Sequence, residues 1–220
     1  MSWTDHKSIE HIKTLRDLFD IRTFVETGTH VGINSELHSK NFKHVITCEI
    51  NDKYILEAKR RLKHIDNVEI VKQSSPKFLK RFTSTNRTEF FYLDAHFYDP
   101  TLPMGKRFVV LDELKSLAPN RNCVIAIHDF DNGLGHITYD GISLDFKLLR
   151  DRLLKINPKF RFYTNELSSC KIMYVSEATD EFMYNNLKYA WSKPEKAYRG
   201  ILYCTPEHVK IDGLKEITSW

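Results

Sequence analysis

The sequence predicts an α/β protein: one doubly wound sheet of seven strands, mostly parallel, closing on a C-terminal antiparallel β-hairpin. Three observations carry the prediction. Short apolar runs alternate with amphipathic helical stretches from residue 6 to residue 156, which implies βαβ crossovers and helices on both faces of a parallel sheet. The last two apolar runs stand only a few residues apart, the spacing of an antiparallel pair. The chain has 220 residues, enough for one domain with a sizeable core and a small appendage.

Each element has its own reason. Ile9, Ile12, Leu15 and Leu18 recur every third residue within 6–19, a helical stripe. RTFVE is a short β-rich run that leads into ETGTHVG, and residues 33–40 read as helix. HVITCE (44–49) is a strand, and NDKYILEAKRRLKHI (51–65) is an amphipathic helix with Asn51 or Asp52 as its N-cap. VEIVKQ (68–73) is a strand, after which Pro76 suits the first turn of a short helix. TEFFYLD (88–94) is a strand, FVVLDELKSL (108–117) a helix, and NCVIAIHD (122–129) a strongly apolar strand. SLDFKLLRDRLLKI (143–156) is a helix that stops before Pro158. FRFYTNE (160–166) and CKIMYVS (170–176) form the expected hairpin. The pattern divides the chain into a domain over residues 1–176 and an extension over 177–220. The extension carries seven aromatic residues, among them Trp191 and Trp220. It is expected to pack on the domain or to cover the substrate site.

Composition narrows the function classes. Hydrophobic residues make up 41% and charged residues 28%, the balance of an ordinary globular protein rather than a fibrous or disordered one. The four cysteines, Cys48, Cys123, Cys170 and Cys204, form no CxxC pair, so neither a disulfide framework nor a zinc site is expected. The first residues lack the apolar core of a signal peptide, and no run reaches the roughly 18 apolar residues of a membrane span. A cytoplasmic protein is the expectation. The net charge is +4, and residues 40–87 hold twelve Lys/Arg against five Asp/Glu. That excess favours anionic partners, but solvated helix faces give the same count. No aromatic-rich RNA-binding signature or zinc-finger spacing accompanies it, so nucleic acid is not the expected partner.

Glycine is scarce, 8 of 220 residues, and its placement is informative. Gly28 and Gly32 follow the first strand; Gly133, Gly135 and Gly141 follow the fifth. Ligands of open α/β sheets bind beyond the carboxyl ends of the strands. The run Glu26-Thr27-Gly28-Thr29-His30-Val31-Gly32 does not meet the dinucleotide pattern G-x-G-x-x-G, since Thr29 or His30 stands where the middle glycine belongs, and no GK[ST] follows. An acid ahead of a glycine turn repels a pyrophosphate and suits a ligand bearing a positive amino group. Glu49 ends the second strand, where a carboxylate can accept two hydrogen bonds from a ribose diol. Alternatively, the glycines mark a plain tight turn and Glu49 caps a helix.

The ordered set FVETGTHVG, ITCEIND, VKQSSP, FFYLDAHF and VIAIHDF resembles the motifs of class I S-adenosylmethionine (SAM)-dependent methyltransferases. Those proteins have a Rossmann-like seven-stranded sheet with a terminal hairpin, and the resemblance covers about residues 20–176. More closely, FVETGT, LDAH, LDEL and VIAIHD are similar to a group of methyltransferase-like proteins linked to glycan modification. The resemblance implies SAM as cofactor. It sets Glu26 and Gly28 toward the methionine part, with Thr29 and Gly32 in the same loop. Glu49 would face the ribose hydroxyls and Ser74 and Ser75 the adenine, and Asp94 is also counted among the cofactor-binding residues. One departure is that Gln73-Ser74-Ser75 stands where such families often place an acid.

A second cluster follows the fourth and fifth strands: Asp94-Ala95-His96 and His128-Asp129-Phe130-Asp131. Neighbouring strands would bring the two together over one cleft. In one reading Asp94, His128 and Asp129 hold a divalent cation such as Mg²⁺ or Mn²⁺, which would lower the pKa of an acceptor hydroxyl. Metal-dependent sugar O-methyltransferases have a similar Asp…Asp-Asp arrangement, from which His128 departs. In the other reading His96 or His128 is a general base oriented by Asp129, imidazole titrating ordinarily near neutrality. A third reading gives these residues structural roles only. The expected catalytic group is Asp94, His96, His128 and Asp129. The loop holding Gly133, Gly135 and Gly141 is read as the acceptor side or a lid, with a plain long loop as the alternative; Lys106 and Arg107 are read as solvated side chains, with contact to an anionic or hydroxylated acceptor as the alternative.

Together these readings predict a SAM-dependent O-methyltransferase acting on a hydroxyl of a small acceptor, a sugar or glycan. The rivals are a nucleic-acid methyltransferase, an NAD-type oxidoreductase on a similar fold and a non-catalytic binding protein.

Overall fold

A computed structural model describes residues 6–82, 88–95, 101–103, 107–119, 122–133, 142–166 and 200–218. The chain alternates as expected: α1 (His6–Leu18), β1 (Thr23–Thr27), α2 (Ile33–Ser39), β2 (His44–Glu49), α3 (Asp52–Leu62), β3 (Val68–Lys72), α4 (Ser75–Leu79), β4 (Glu89–Leu93), α5 (Val110–Ser116), β5 (Val124–His128), α6 (Phe146–Ile156) and β6 (Arg161–Asn165). Two further strands follow, β7 (Ile201–Thr205) and β8 (Leu214–Glu216).

Local chemistry sets the boundaries. Asn51 caps α3 by accepting from Lys53 N at 3.0 Å. Ile55, Ala58 and Leu62 bury one face of that helix, while Lys59, Arg60 and Arg61 fill its last turn, where cations complement the helix dipole. Asp145 caps α6 through Leu148 N at 2.9 Å. Phe146, Leu149, Leu153 and Ile156 form the buried stripe of α6, which ends just before Pro158. Pro76 sits in the first turn of α4, where its missing N–H costs nothing.

The eight strands form one sheet in the order β3-β2-β1-β4-β5-β7-β6-β8. Neighbours among β1 to β5 pair in parallel, whereas β7 is antiparallel to both β5 and β6, and β8 is antiparallel to β6. The central strands β4, β5 and β7 are buried at all five positions, as a sheet covered on both sides requires. Alternate residues serve two cores. Val25, Phe91, Leu93, Ile125, Ile127, Leu202 and Cys204 pack with α5 and α6. Phe24, Phe90, Tyr92, Val124, Ala126, Ile201 and Tyr203 pack with Ile12 and Leu15 of α1. Cys48, Cys123 and Cys204 are buried, and no disulfide joins them among the described residues.

The antiparallel partner of β6 is the point of difference. The expected hairpin pairs 160–166 with 170–176, but β6 pairs with Ile201–Thr205; residues 170–176 lie outside the described residues. The strand is inserted antiparallel as expected, yet it comes from the region read as an extension. ILYCT is bounded by Gly200 and Pro206, a strand signal that the nearer apolar run outcompeted because short connections are the commoner ones. Residues 206–218 supply β8, an eighth strand, and Val209, buried against the α1 core. Among the described residues no helix is long and apolar enough to cross a membrane.

Candidate active site

The strand order reverses between β1 and β4, so the carboxyl ends of β1, β2, β4 and β5 share one edge with a crevice at the reversal. The loop after β1 is shaped by three residues in the left-handed region, Gly28 (φ 83°), His30 (φ 48°) and Gly32 (φ 82°). His30 therefore occupies the middle glycine position of the incomplete fingerprint, and histidine is among the side chains that tolerate this conformation. Gly28 N and Thr29 N both donate to Cys48 O at 3.0 Å, which ties the loop to β2. A Cβ on Gly28 would lie 2.7 Å from Asp94 O and 2.9 Å from Ala95 Cα. Only glycine lets the ends of β1 and β4 come that close.

Glu26 is buried, and its carboxylate accepts from Asn34 Nδ2 (2.7 Å), Thr47 Oγ1 (2.7 Å) and Ser35 Oγ. Burial pushes its pKa up to about 7; the three hydrogen bonds pull the other way, and the nearby Asp94 adds to the rise. Its hydrogen bonds go to α2 and β2, the elements that frame the loop. The Thr29 and Thr47 hydroxyls are 2.7 Å apart in the same buried network. Sequence reasoning missed Asn34, Ser35 and Thr47, because nothing in their local pattern separates an acid's partners from an ordinary helix start and strand.

Glu49 stands at the end of β2 with its carboxylate fixed by three backbone amides: His30 N at 3.0 Å, Ile50 N at 2.8 Å and Asn51 N at 2.9 Å. Ile50 beside it is 67% exposed, an apolar surface next to a carboxylate at the strand edge. Gln73 N donates to Glu49 O at 3.1 Å, which joins the ends of β2 and β3. Gln73 Oε1 is buried with no hydrogen-bond partner among the described residues. Ser74 is exposed, and its hydroxyl makes no capping bond to α4; Ser75 is buried.

On the other side of the crevice, the register Leu93↔Ile127 sets Asp94 and His128 side by side. His128 Nδ1 lies 3.1 Å from Asp94 Oδ1 and 3.4 Å from Asp129 Oδ1, with all three side chains buried. Thr27 Oγ1 accepts from Asp94 N at 3.1 Å. Asp129 has φ 56°, a left-handed conformation that non-glycine residues adopt at a cost. The next residue is locked to β7: Phe130 N donates to Gly200 O at 2.9 Å, and a Cβ on Gly200 would lie 1.9 Å from Phe130 O. Asn132 Nδ2 reaches Thr164 Oγ1 (3.1 Å) and Asn165 O (3.0 Å). The expected meeting of the two acid–histidine clusters thus holds for Asp94, His128 and Asp129. His96, Lys106, Gly135 and Gly141 lie outside the described residues. Arg107 Nε donates to Leu102 O at 2.8 Å. Among the described residues no group of three or more His, Cys, Asp or Glu side chains is arranged to hold a metal ion.

No family model matches the chain, and no curated protein matches it in sequence. Solved structures do. An rRNA methylase from Streptococcus thermophilus is 13% identical, with a TM-score of 0.52 over 93% of this chain and 98% of the other. A protein provisionally described as a sarcosine dimethylglycine methyltransferase, from Galdieria sulphuraria, is 12% identical, with a TM-score of 0.56 over 91% of this chain and 86% of the other. Precorrin-6y C5,15-methyltransferase from Geobacter metallireducens is 13% identical, with a TM-score of 0.50 over 92% of this chain and 90% of the other. At such identities the likeness concerns the backbone: the chain has the Rossmann-like fold of the SAM-dependent methyltransferases.

Proposed function

We propose that this protein is a SAM-dependent O-methyltransferase whose acceptor is a hydroxyl of a small molecule, a sugar or glycan. The observation that carries the reading is His128 held between two carboxylates at 3.1 and 3.4 Å, across the strand reversal from a left-handed loop and a fixed Glu49. The fold by itself supports many methyl acceptors, so the acceptor class rests on this cluster and on the motif resemblance.

The nucleotide side fits the cofactor. Glu49, its orientation fixed by amides, would accept from the ribose hydroxyls. Exposed Ile50 offers an apolar face for a base. Gln73 Oε1, a buried acceptor with no partner among the described residues, suits an exocyclic amine there, with Ser74 and Ser75 adjacent. Gly28, Thr29 and Gly32 shape the loop toward the methionine part, and Glu26 braces it from below. SAM, when bound, supplies a methyl group on a sulfonium sulfur, which is already a strong electrophile.

The chain's own task is to orient the acceptor and take its proton. Two carboxylates facing Nδ1 place a proton on that nitrogen and leave the Nε2 lone pair as the base. In this reading the acceptor hydroxyl gives its proton to His128 Nε2, and Asp94 and Asp129 stabilise the resulting imidazolium. Their contacts with Nδ1 suit a base with its orienting acids. Calorimetric titration with SAM, S-adenosylhomocysteine (SAH) and NAD tests the reading, since uptake of NAD alone would replace it with the oxidoreductase. A nucleic-acid acceptor is the second reading, favoured by exposed Lys40, Lys43, Lys59, Arg60 and Lys63 within the basic segment. RNA binding that weakens steeply with salt would support it.

A further inference from the structure

We propose that Tyr54 and Arg61, both on α3, are positioning residues for the cofactor loop; this rests on the nucleotide-binding reading above. The loop needs left-handed conformations at residues 28, 30 and 32 but has glycine at only two of them. A side chain with a Cβ is disfavoured at the third, histidine less than most, so packing around His30 helps to hold its φ of 48°. Helix α3 does so at three successive residues. The Tyr54 ring packs on the His30 ring, with centroids 4.2 Å apart and planes tilted by 47°. Arg61 Nε donates to Val31 O at 2.9 Å, and its Nη1 pairs with Glu36 of α2 at 3.1 Å. Gly32 backs onto the same helix: a Cβ there would lie 3.0 Å from Leu62 Cδ1 and 3.3 Å from Ala58 Cβ.

The consequence reaches Glu49 through one bond. His30 N is one of the three amides that fix the Glu49 carboxylate. If His30 relaxes out of the left-handed region, its N–H turns away and the carboxylate loses part of its orientation. Arg61 suits this task because its planar fork serves a carbonyl and a carboxylate at once. The Arg61 and Glu36 side chains are only 24% and 27% exposed, so the pair is partly shielded from solvent. Neither Tyr54 nor Arg61 touches the ligand in this account; both act through the loop.

The test is SAH affinity by calorimetry, with thermal melting as a check on folding. Tyr54→Ala and Arg61→Met should each weaken SAH binding by roughly 5- to 20-fold, the scale of one lost backbone constraint. Tyr54→Phe should stay within about twofold of the wild type, because the ring packing survives. Arg61→Lys should resemble Arg61→Met, since a single nitrogen lacks the fork whose Nε and Nη1 reach the two partners. In a His30→Gly background Tyr54→Ala should cost clearly less, as glycine reaches φ near 48° unaided. Near-wild-type affinity for both Tyr54→Ala and Arg61→Met would overturn the proposal. So would equal losses for Tyr54→Phe and Tyr54→Ala, or an undiminished loss in the His30→Gly background. A wild type that takes up no SAH would instead remove the nucleotide-binding reading, and this inference with it.

Discussion

Two buried titratable groups on the α1–α3 side of the sheet should give opposite pH dependences to folding stability. Glu26, enclosed by Asn34, Ser35 and Thr47, is pushed from an ordinary 4.5 to about 7, mainly by burial. His38 of α2 is stacked on Phe24 at 4.3 Å, and neither of its ring nitrogens has a hydrogen-bond partner among the described residues. Burial, with Lys13 adding to it, lowers its pKa from 6.5 to about 3. For Glu26 the folded chain keeps its proton while the unfolded chain has lost it between pH 4.5 and 7. Stability from this group is therefore full below pH 4.5 and falls as pH rises through that window. The slope is about 1.4 kcal/mol per pH unit, on the order of 3 kcal/mol in all. For His38 the unfolded chain gains a proton that the folded chain refuses. Stability is full above pH 6.5 and falls as pH drops toward 3, by roughly 5 kcal/mol in all.

Between pH 4.5 and 6.5 the two slopes cancel in the wild type, and single substitutions unmask them. Urea unfolding should be measured at half-unit steps from pH 4.5 to 7.5, with each variant compared with the wild type at the same pH so that other groups drop out. Glu26→Gln should gain on the wild type by about 1.4 kcal/mol per unit as pH rises from 4.5 to 7, then level off. His38→Leu should gain on it by a similar amount per unit as pH falls from 6.5. A pH-independent difference for Glu26→Gln, with both proteins folded, would refute the argument that its carboxyl carries a burial penalty.

Other outcomes follow from single geometries. Glu49→Ala should weaken SAM binding by about 1.5–3 kcal/mol, the worth of charge-assisted hydrogen bonds to a diol; near-wild-type affinity by calorimetry would take Glu49 out of the site. Gly200→Ala should destabilise by about 3 kcal/mol or more, because its Cβ would sit 1.9 Å from the backbone oxygen of Phe130. Gly133→Ala, with no described residue within 4 Å of the added Cβ but φ 81°, should cost only about 1 kcal/mol of backbone strain in urea unfolding. With an acceptor in hand, His128→Ala should abolish most methyl transfer while leaving SAH affinity intact. Activity that survives this change but disappears with chelator would favour a metal over the histidine base.

The alternation of strands and helices was legible in the sequence because amphipathic periods are local. Ile55, Ala58 and Leu62 face the core three or four residues apart whatever the rest of the chain does. The chemistry-bearing positions were legible for a related reason: in such sheets they fall just after strands, and Gly28, Glu49, Asp94 and His128 stand at strand ends. Partnerships across long stretches of chain were not legible. Which run lies between β5 and β6 is decided by pairing of Ile201–Thr205 with strands that begin 77 and 40 residues earlier. No local period distinguishes that run from 170–176. The partners of Glu26 come from two elements, and the left-handed His30 meets Tyr54 of α3 across 24 residues of chain. The sequence alone therefore determined the alternating helices and strands up to β6 and which candidate residues stand at the strand ends. The tertiary structure decided which buried acid meets which donor, and on which carboxylates His128 rests, because hydrogen bonds and packing join residues with no shared local pattern.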